Sequence, residues 1–251
     1  MKVRGRADSR LGSRVRVRTA VFDPSVIHIA LADQGIVPDP DELAGWVDTL
    51  AGRDGVRAIR TGALFAAAAE RFADAGFSVV DTLMLLRADL ADTEPVRGSA
   101  DATAPLRVRH HGVAARIDSA AFGAEWGNGA ADLAEIRRAT TSHRARVRRA
   151  TSPPPVRRAL RRPPIVAFAI SGAAGGQGYL QRLAVLPEHQ RQGHGRALTI
   201  DSLQWMRRRR LSHAVVNTGI DNEPARALYE SLGFRALPDR LVVTQLDLPG
   251  R

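Results

Sequence analysis

Apolar residues in the C-terminal part of the chain alternate between short dense runs and helical stripes. The runs Ile165–Ile170 and Tyr179–Val185 predict two strands, joined through the Gly- and Ala-rich stretch 171–178 as a hairpin. Ala197, Ile200, Leu203 and Met206 mark one face of a helix over 196–210. Farther on, Ala225, Leu228, Tyr229 and Leu232 recur at i, i+3, i+4 and i+7, which puts Tyr229 on the apolar side of a second helix. Asn222 suits its N-cap, Pro224 its first turn and Gly233 the left-handed residue past its end. Strands near Leu106–His111, Arg144–Arg149, Ala214–Asn217 and Arg240–Leu246, with helices near Ala114–Phe122 and Ala130–Thr140, complete an α/β fold with a mixed sheet. The Pro- and Arg-rich stretch Thr151–Pro164 fits neither element.

The junction before the first of these helices carries candidate chemistry: Gln190, Arg191, Gln192, Gly193, His194 and Gly195, followed by Arg196. The first amides of a helix have no intrahelical acceptor, and the helix dipole places about half a positive charge there, so the segment suits a pyrophosphate. Gly193 and Gly195 let a phosphate approach the backbone, and Arg191 and Arg196 add full charges. A plain tight turn has the same glycines, and a core tyrosine has the same spacing as Tyr229. Neither segment assigns a function by itself.

Together the two segments resemble the GNAT family of N-acetyltransferases, which carry Q/R-x-x-G-x-G/A followed by N-x-x-A-x-x-L-Y-x-x-x-G-F. Gln190, Gly193 and Gly195 match the first pattern; Asn222, Ala225, Leu228, Tyr229, Gly233 and Phe234 match the second. The resemblance covers roughly residues 105 to 249. It implies acetyl-CoA as co-substrate, lying where two neighbouring strands splay apart. Leu183, Ala184 and Val185 would line its acetyl and pantetheine parts, residues 190–196 its pyrophosphate, and Asn222 would also touch it. Tyr229 would protonate the departing thiolate. The acceptor is then a primary amine, on a peptide N-terminus or a small molecule. The run into the phosphate loop resembles enzymes that acetylate ribosomal-protein N-termini. Some relatives place a basic glutamate near that strand; here Gln177, Gln181 and Arg182 stand there, which leaves Asp118, Glu125, Glu135 or a water chain as the base. The alternative from another class is a non-catalytic acyl-CoA sensor or protein-interaction module.

The N-terminal part repeats the pattern. Thr61-Gly62 and Gly76-Phe77 recur as Thr218-Gly219 and Gly233-Phe234 at a constant offset of 157. Phe65 then stands for Asn222 and Phe72 for Tyr229, and the stretch 34–41 offers two prolines, two acids and one glycine in place of a phosphate loop. These differences describe a degenerate GNAT-like half over 1–90, a linker over 91–104 and a catalytic domain over 105–251. This two-half layout resembles mycothiol synthase.

Composition narrows the setting. No cysteine is present among 251 residues, so thiolate metal sites are excluded, and the scattered histidines suggest no metal site either. No run approaches the roughly 18 apolar residues of a membrane span. The expectation is a cytoplasmic monomer or homodimer. The net charge of +11 is concentrated in ten arginines without an acid between Arg137 and Arg162. The bland reading is a solvated face. With no aromatic residue among them to stack on bases, the patch argues against nucleic acid as a partner.

Overall fold

The computed structural model describes residues 11–20, 23–33, 35–91, 103–150 and 163–249. Two compact units share the chain: one takes 1–85, 217–222 and 237–251, the other 86–216 and 223–236. Strands β4 (Ser78–Asp89), β9 (His213–Gly219) and β10 (Arg235–Asp247) contribute residues to both.

In the first unit, β1 (Val15–Thr19) runs antiparallel to β2 (Val26–Leu31), and β2 parallel to β3 (Ala58–Thr61). Helix α1 (Pro40–Ala51) makes the crossover between the parallel pair. Its apolar stripe, Leu43, Trp46 and Leu50, buries against Ile27, Ile29 and Ile59, and α2 (Ala66–Asp74) adds Ala68 and Phe72. The sheet is extended by the last strand of the chain, Leu246 of β10 pairing antiparallel with Ile59 of β3. A division of the chain at 1–90 and 105–251 therefore does not capture how the units are built. Most of the expected linker, 92–102, lies outside the described residues, as does 151–162.

His28 sits in register between Arg18 of β1 and Arg60 of β3. Burial, with these two cations, lowers its pKa from 6.5 to about 4. The unfolded chain then binds the proton first, so this contribution to stability is full above about pH 6.5 and is lost as pH falls toward 4. His28→Gln is expected to remove roughly 2 kcal/mol of the acid destabilisation in that window. Urea unfolding at pH 7 and pH 4.5 measures it; identical pH dependence in both proteins would exclude His28.

In the second unit, β5 (Thr103–Pro105), β6 (Ser142–Arg149), β7 (Ile165–Ala174) and β8 (Gln177–Val185) form an antiparallel run, and β9 joins β8 in parallel. Helices α3 (His111–Trp126) and α4 (Ala130–Arg138) supply Ala114, Ile117 and Leu133 to the core with Val147, Phe168, Ile170 and Ala184. Helix α5 (His194–Arg208) links β8 to β9, and α6 (Glu223–Glu230) follows β9. The predicted strand Leu106–His111 is the clearest departure. β6 pairs with β5 only as far as Pro105, and the chain turns through a 3-10 helix at Val108–His110 straight into α3, with His110 Nδ1 accepting from the Arg107 amide at 3.3 Å.

The internal repeat is geometric as well as sequential. The order β2-α1-β3-α2-β4 recurs as β8-α5-β9-α6-β10. Phe77 N–H donates to Phe72 O at 3.1 Å and Phe234 N–H to Tyr229 O at 3.1 Å, while Gly76 and Gly233 have φ of 87° and 86°. The ring pairs Phe72–Phe77 and Tyr229–Phe234 lie at centroid distances of 5.1 and 5.6 Å.

Candidate active site

The phosphate-loop segment folds as a left-handed turn into α5. After β8, a 3-10 turn at Pro187–His189 leads to Arg191 (φ 59°) and to Gly193 (φ 78°), the N-cap of α5. No side chain caps this helix; its first internal bond is Ala197 N–H to Gly193 O at 3.0 Å, which leaves the amides of His194, Gly195 and Arg196 as open donors. Gln190 Nε2 reaches back to Val185 O at 3.4 Å, Gln192 Nε2 donates to Glu188 O at 3.2 Å, and Arg196 Nη1 is tied to Ser231 Oγ at 3.0 Å. A β-branched residue is strained at Gly193's φ. Gly193→Val is expected to weaken acetyl-CoA binding at least about tenfold while lowering stability by roughly 1–2 kcal/mol. Calorimetric titration reads the first effect and denaturant unfolding the second; undiminished affinity would take the loop out of the site.

Beside this turn the edge of β8 is open. Its parallel ladder with β9 covers only Gln177↔His213 to Tyr179↔Val215. On the other side, Leu186 N–H donates to Val166 O at 2.9 Å, which sets the phase of the β7–β8 ladder. Bonded pairs alternate in an antiparallel ladder, so Ala184 faces β7, whereas Leu183 and Val185 turn their N–H and C=O groups away from it, to the open side. A bulge leaves Gln181 without an opposite residue between Ile170 and Ser171. In the first unit the equivalent place is closed: positions 157 residues earlier pair without a break from Val26↔Ala58 to Ile29↔Thr61. There the corresponding helix, α1, is capped by an acid, Asp39 Oδ1 accepting from Glu42 N–H at 2.8 Å.

Tyr229, on α6, is 5% exposed. Its ring lies against Phe234, yet its hydroxyl has no hydrogen-bond partner among the described residues and is not among the polar atoms sealed from solvent. Burial raises its pKa well above 10, with Arg182 pulling weakly the other way, so the phenol keeps its proton throughout the neutral range. Strand edge, loop and tyrosine helix meet at Gly195: a Cβ there would lie 3.4 Å from Leu228 Cδ2, 3.8 Å from Val185 Cγ2 and 3.9 Å from Leu183 Cδ2.

Residues 135–234, which contain this loop, strand and helix, match the acetyltransferase (GNAT) family. This stretch is a GNAT acetyltransferase domain. Mycothiol acetyltransferase of Acidothermus cellulolyticus is 50% identical over 60 residues, 24% of this chain and 18% of that protein. The [ribosomal protein bS18]-alanine N-acetyltransferase of Escherichia coli K12 is 39% identical over 70 residues, 28% of this chain and 47% of that one. The matched segments thus span less than half the length of these curated relatives. A GCN5-related N-acetyltransferase from Kribbella flavida has the same fold at a TM-score of 0.59 and 19% identity, over 94% of this chain and 88% of that one. The mixed α/β architecture is that of the family, whose members use acetyl-CoA as co-substrate.

The GNAT domain uses its charges differently from the sequence-based expectation. The arginines of β6 are not a solvated face. Arg144, Arg146 and Arg148 alternate with Ala145 and Val147 and turn to the α5 side. Arg144 and Arg146 pair with Asp201, which is 2% exposed, and Arg148 Nε donates to His194 Nδ1 at 3.3 Å beneath the 190–196 loop. The period-two spacing of those arginines was the available signal. Burial, then Arg148 and His189, lowers the pKa of His194 and favours its neutral form.

Of the candidate bases, Asp118 is accounted for. Fully buried on α3, it accepts from Arg182 Nε at 2.7 Å and Nη2 at 2.8 Å, and from Asn128 N–H at 2.6 Å and Nδ2 at 3.2 Å. Three of these donors meet at Oδ2 and one at Oδ1, so the buried carboxylate is committed to holding Arg182 and the 127–129 turn. Glu125 and Glu135 are exposed. Asn222 belongs to the first unit, where its amide donates to Gly219 O at 3.0 Å. Among the described residues there is no group of three or more potential metal ligands, and no helix is long and apolar enough to cross a membrane.

Proposed function

We propose that the chain is an acetyl-CoA-dependent N-acetyltransferase that moves the acetyl group to a primary amine by direct attack. The observation that carries this reading is the open edge of β8, with Leu183 and Val185 presenting backbone groups directly before an uncapped helix start. These features fit acetyl-CoA: an extended acyl chain can take the place of the missing strand partner, and the amides of 194–196 suit its pyrophosphate. The thioester supplies an activated acetyl group. Amides on the open edge stabilise negative charge that builds on the carbonyl oxygen as the neutral amine attacks. As the carbon–sulfur bond breaks, Tyr229 gives its proton to sulfur and is reprotonated by the proton that the amine nitrogen sheds. With Asp118 engaged, water carries that proton from the amine nitrogen to the Tyr229 oxygen.

The two curated relatives are named for acceptors of different kinds, mycothiol and an alanine of ribosomal protein bS18, and the panel covers both small molecules and peptides. The test is free-thiol release from acetyl-CoA by the full chain across a panel of peptide N-termini and small amines. Amine-dependent release supports the transferase. Coenzyme binding without release across the panel would favour a sensor instead.

A further inference from the structure

We propose that Arg182 selects the acceptor: its Nη1 binds a carboxylate or acyl oxygen carried next to the amine, so the substrate is an α-amino acid or α-amino acyl group rather than a plain alkylamine. This rests on the acetyl-transfer reading. Arg182 immediately precedes Leu183, whose backbone faces the open edge of β8. Its side chain lies on the face of the strand that Ala184 presents to Ala114 and Ile117 of α3, opposite to the loop. There the guanidinium is fixed on three sides. Nε and Nη2 are held by Asp118, Nη2 also donates to Trp126 O at 2.9 Å, and the Phe122 ring centroid lies 3.6 Å beneath.

Nη1 is left without a partner among the described residues, and the side chain keeps 19% of its surface exposed. The geometry is therefore that of a preorganised fork with one arm offered outward. Asp118 cancels the net charge and also fixes the 127–129 turn through Asn128, so what remains is a directional donor. The charge of Arg182 is felt at Tyr229, the group proposed to protonate the thiolate. Stability alone does not demand this pair, because apolar side chains of similar volume commonly replace a buried ion pair without loss.

The experiment compares alanine, alaninamide and isopropylamine, which differ only in the group beside the amine. The wild-type chain is expected to prefer alanine, alaninamide or both over isopropylamine at least about tenfold in kcat/KM, through KM. Alanine alone would identify a carboxylate; both together, an acyl oxygen. In Arg182→Gln combined with Asp118→Asn, which removes both charges and so leaves neither stranded, the ranking is expected to level; acetyl-CoA affinity measured alongside reports an intact fold. A ranking that survives in the double variant, or is flat in the wild type, overturns the proposal. Equilibrium binding of the three compounds to protein loaded with free coenzyme A gives the same ranking without turnover. If none of a broad amine panel is acetylated while that binding ranking holds and depends on Arg182, the transferase reading fails and the role of Arg182 stands.

Discussion

Tyr229→Phe is expected to lower the maximal rate at least about tenfold with acetyl-CoA affinity unchanged, the low end for losing a positioned acid. The substitution removes one oxygen and nothing else that the fold uses. The ring is buried against Phe234, while the hydroxyl has no described partner to lose. The protein contains its own control. Phe72, 157 residues earlier, occupies the same position in the same helix-end hydrogen bonding, with its ring buried against Phe77. A phenylalanine is thus compatible with this local structure, and a lost rate is attributable to the proton donor. Steady-state kinetics together with coenzyme titration separate the two constants; an unchanged maximal rate would remove Tyr229 from the mechanism.

Asp118→Ala is expected to cost about 3–5 kcal/mol of stability, the cost of breaking a buried ion pair from one side. The substitution strands Arg182, 81% of whose side chain is out of solvent, and releases the two Asn128 donors that hold the turn between α3 and α4. Denaturant unfolding measures the loss. Pairing the change with Arg182→Met is expected to recover most of it, since no charge is then left buried. A loss below about 1 kcal/mol would show that water reaches this pair freely and would undercut its role as a fixed support.

The elements that carry the candidate site were legible in the sequence because they are local. Gln190 to Arg196, Tyr179 to Val185 and the Tyr229 helix each declare themselves within a short window, through glycine spacing, an apolar run and a 3.6-residue stripe. The offset of 157 was legible too, and it recurs in the matching bonds of Phe77 and Phe234. What escaped depends on pairing over long separations. That Leu246 would lie beside Ile59 follows from no local pattern, so the last strand was assigned wholly to the second half. That Asp118 would face Arg182 could not be told from a solvent-facing helical acid. The strand expected at Leu106–His111 had suitable alternation, yet pairing with β6 ends at Leu106 and the following residues turn into a 3-10 helix and α3 instead. Closure of the first unit's cleft is also a matter of register: nothing local to Val26–Ile29 says that its ladder with β3 continues where that of β8 stops.

The central claim is that one chain holds one coenzyme site, formed by the open edge of β8 and the uncapped start of α5, while the first unit holds none. Calorimetric titration of the full chain with acetyl-CoA tests it most directly. One molecule bound per chain, with the binding abolished or strongly weakened in Gly193→Val, is the predicted result. Two molecules per chain, none, or one that binds the variant undiminished would contradict it.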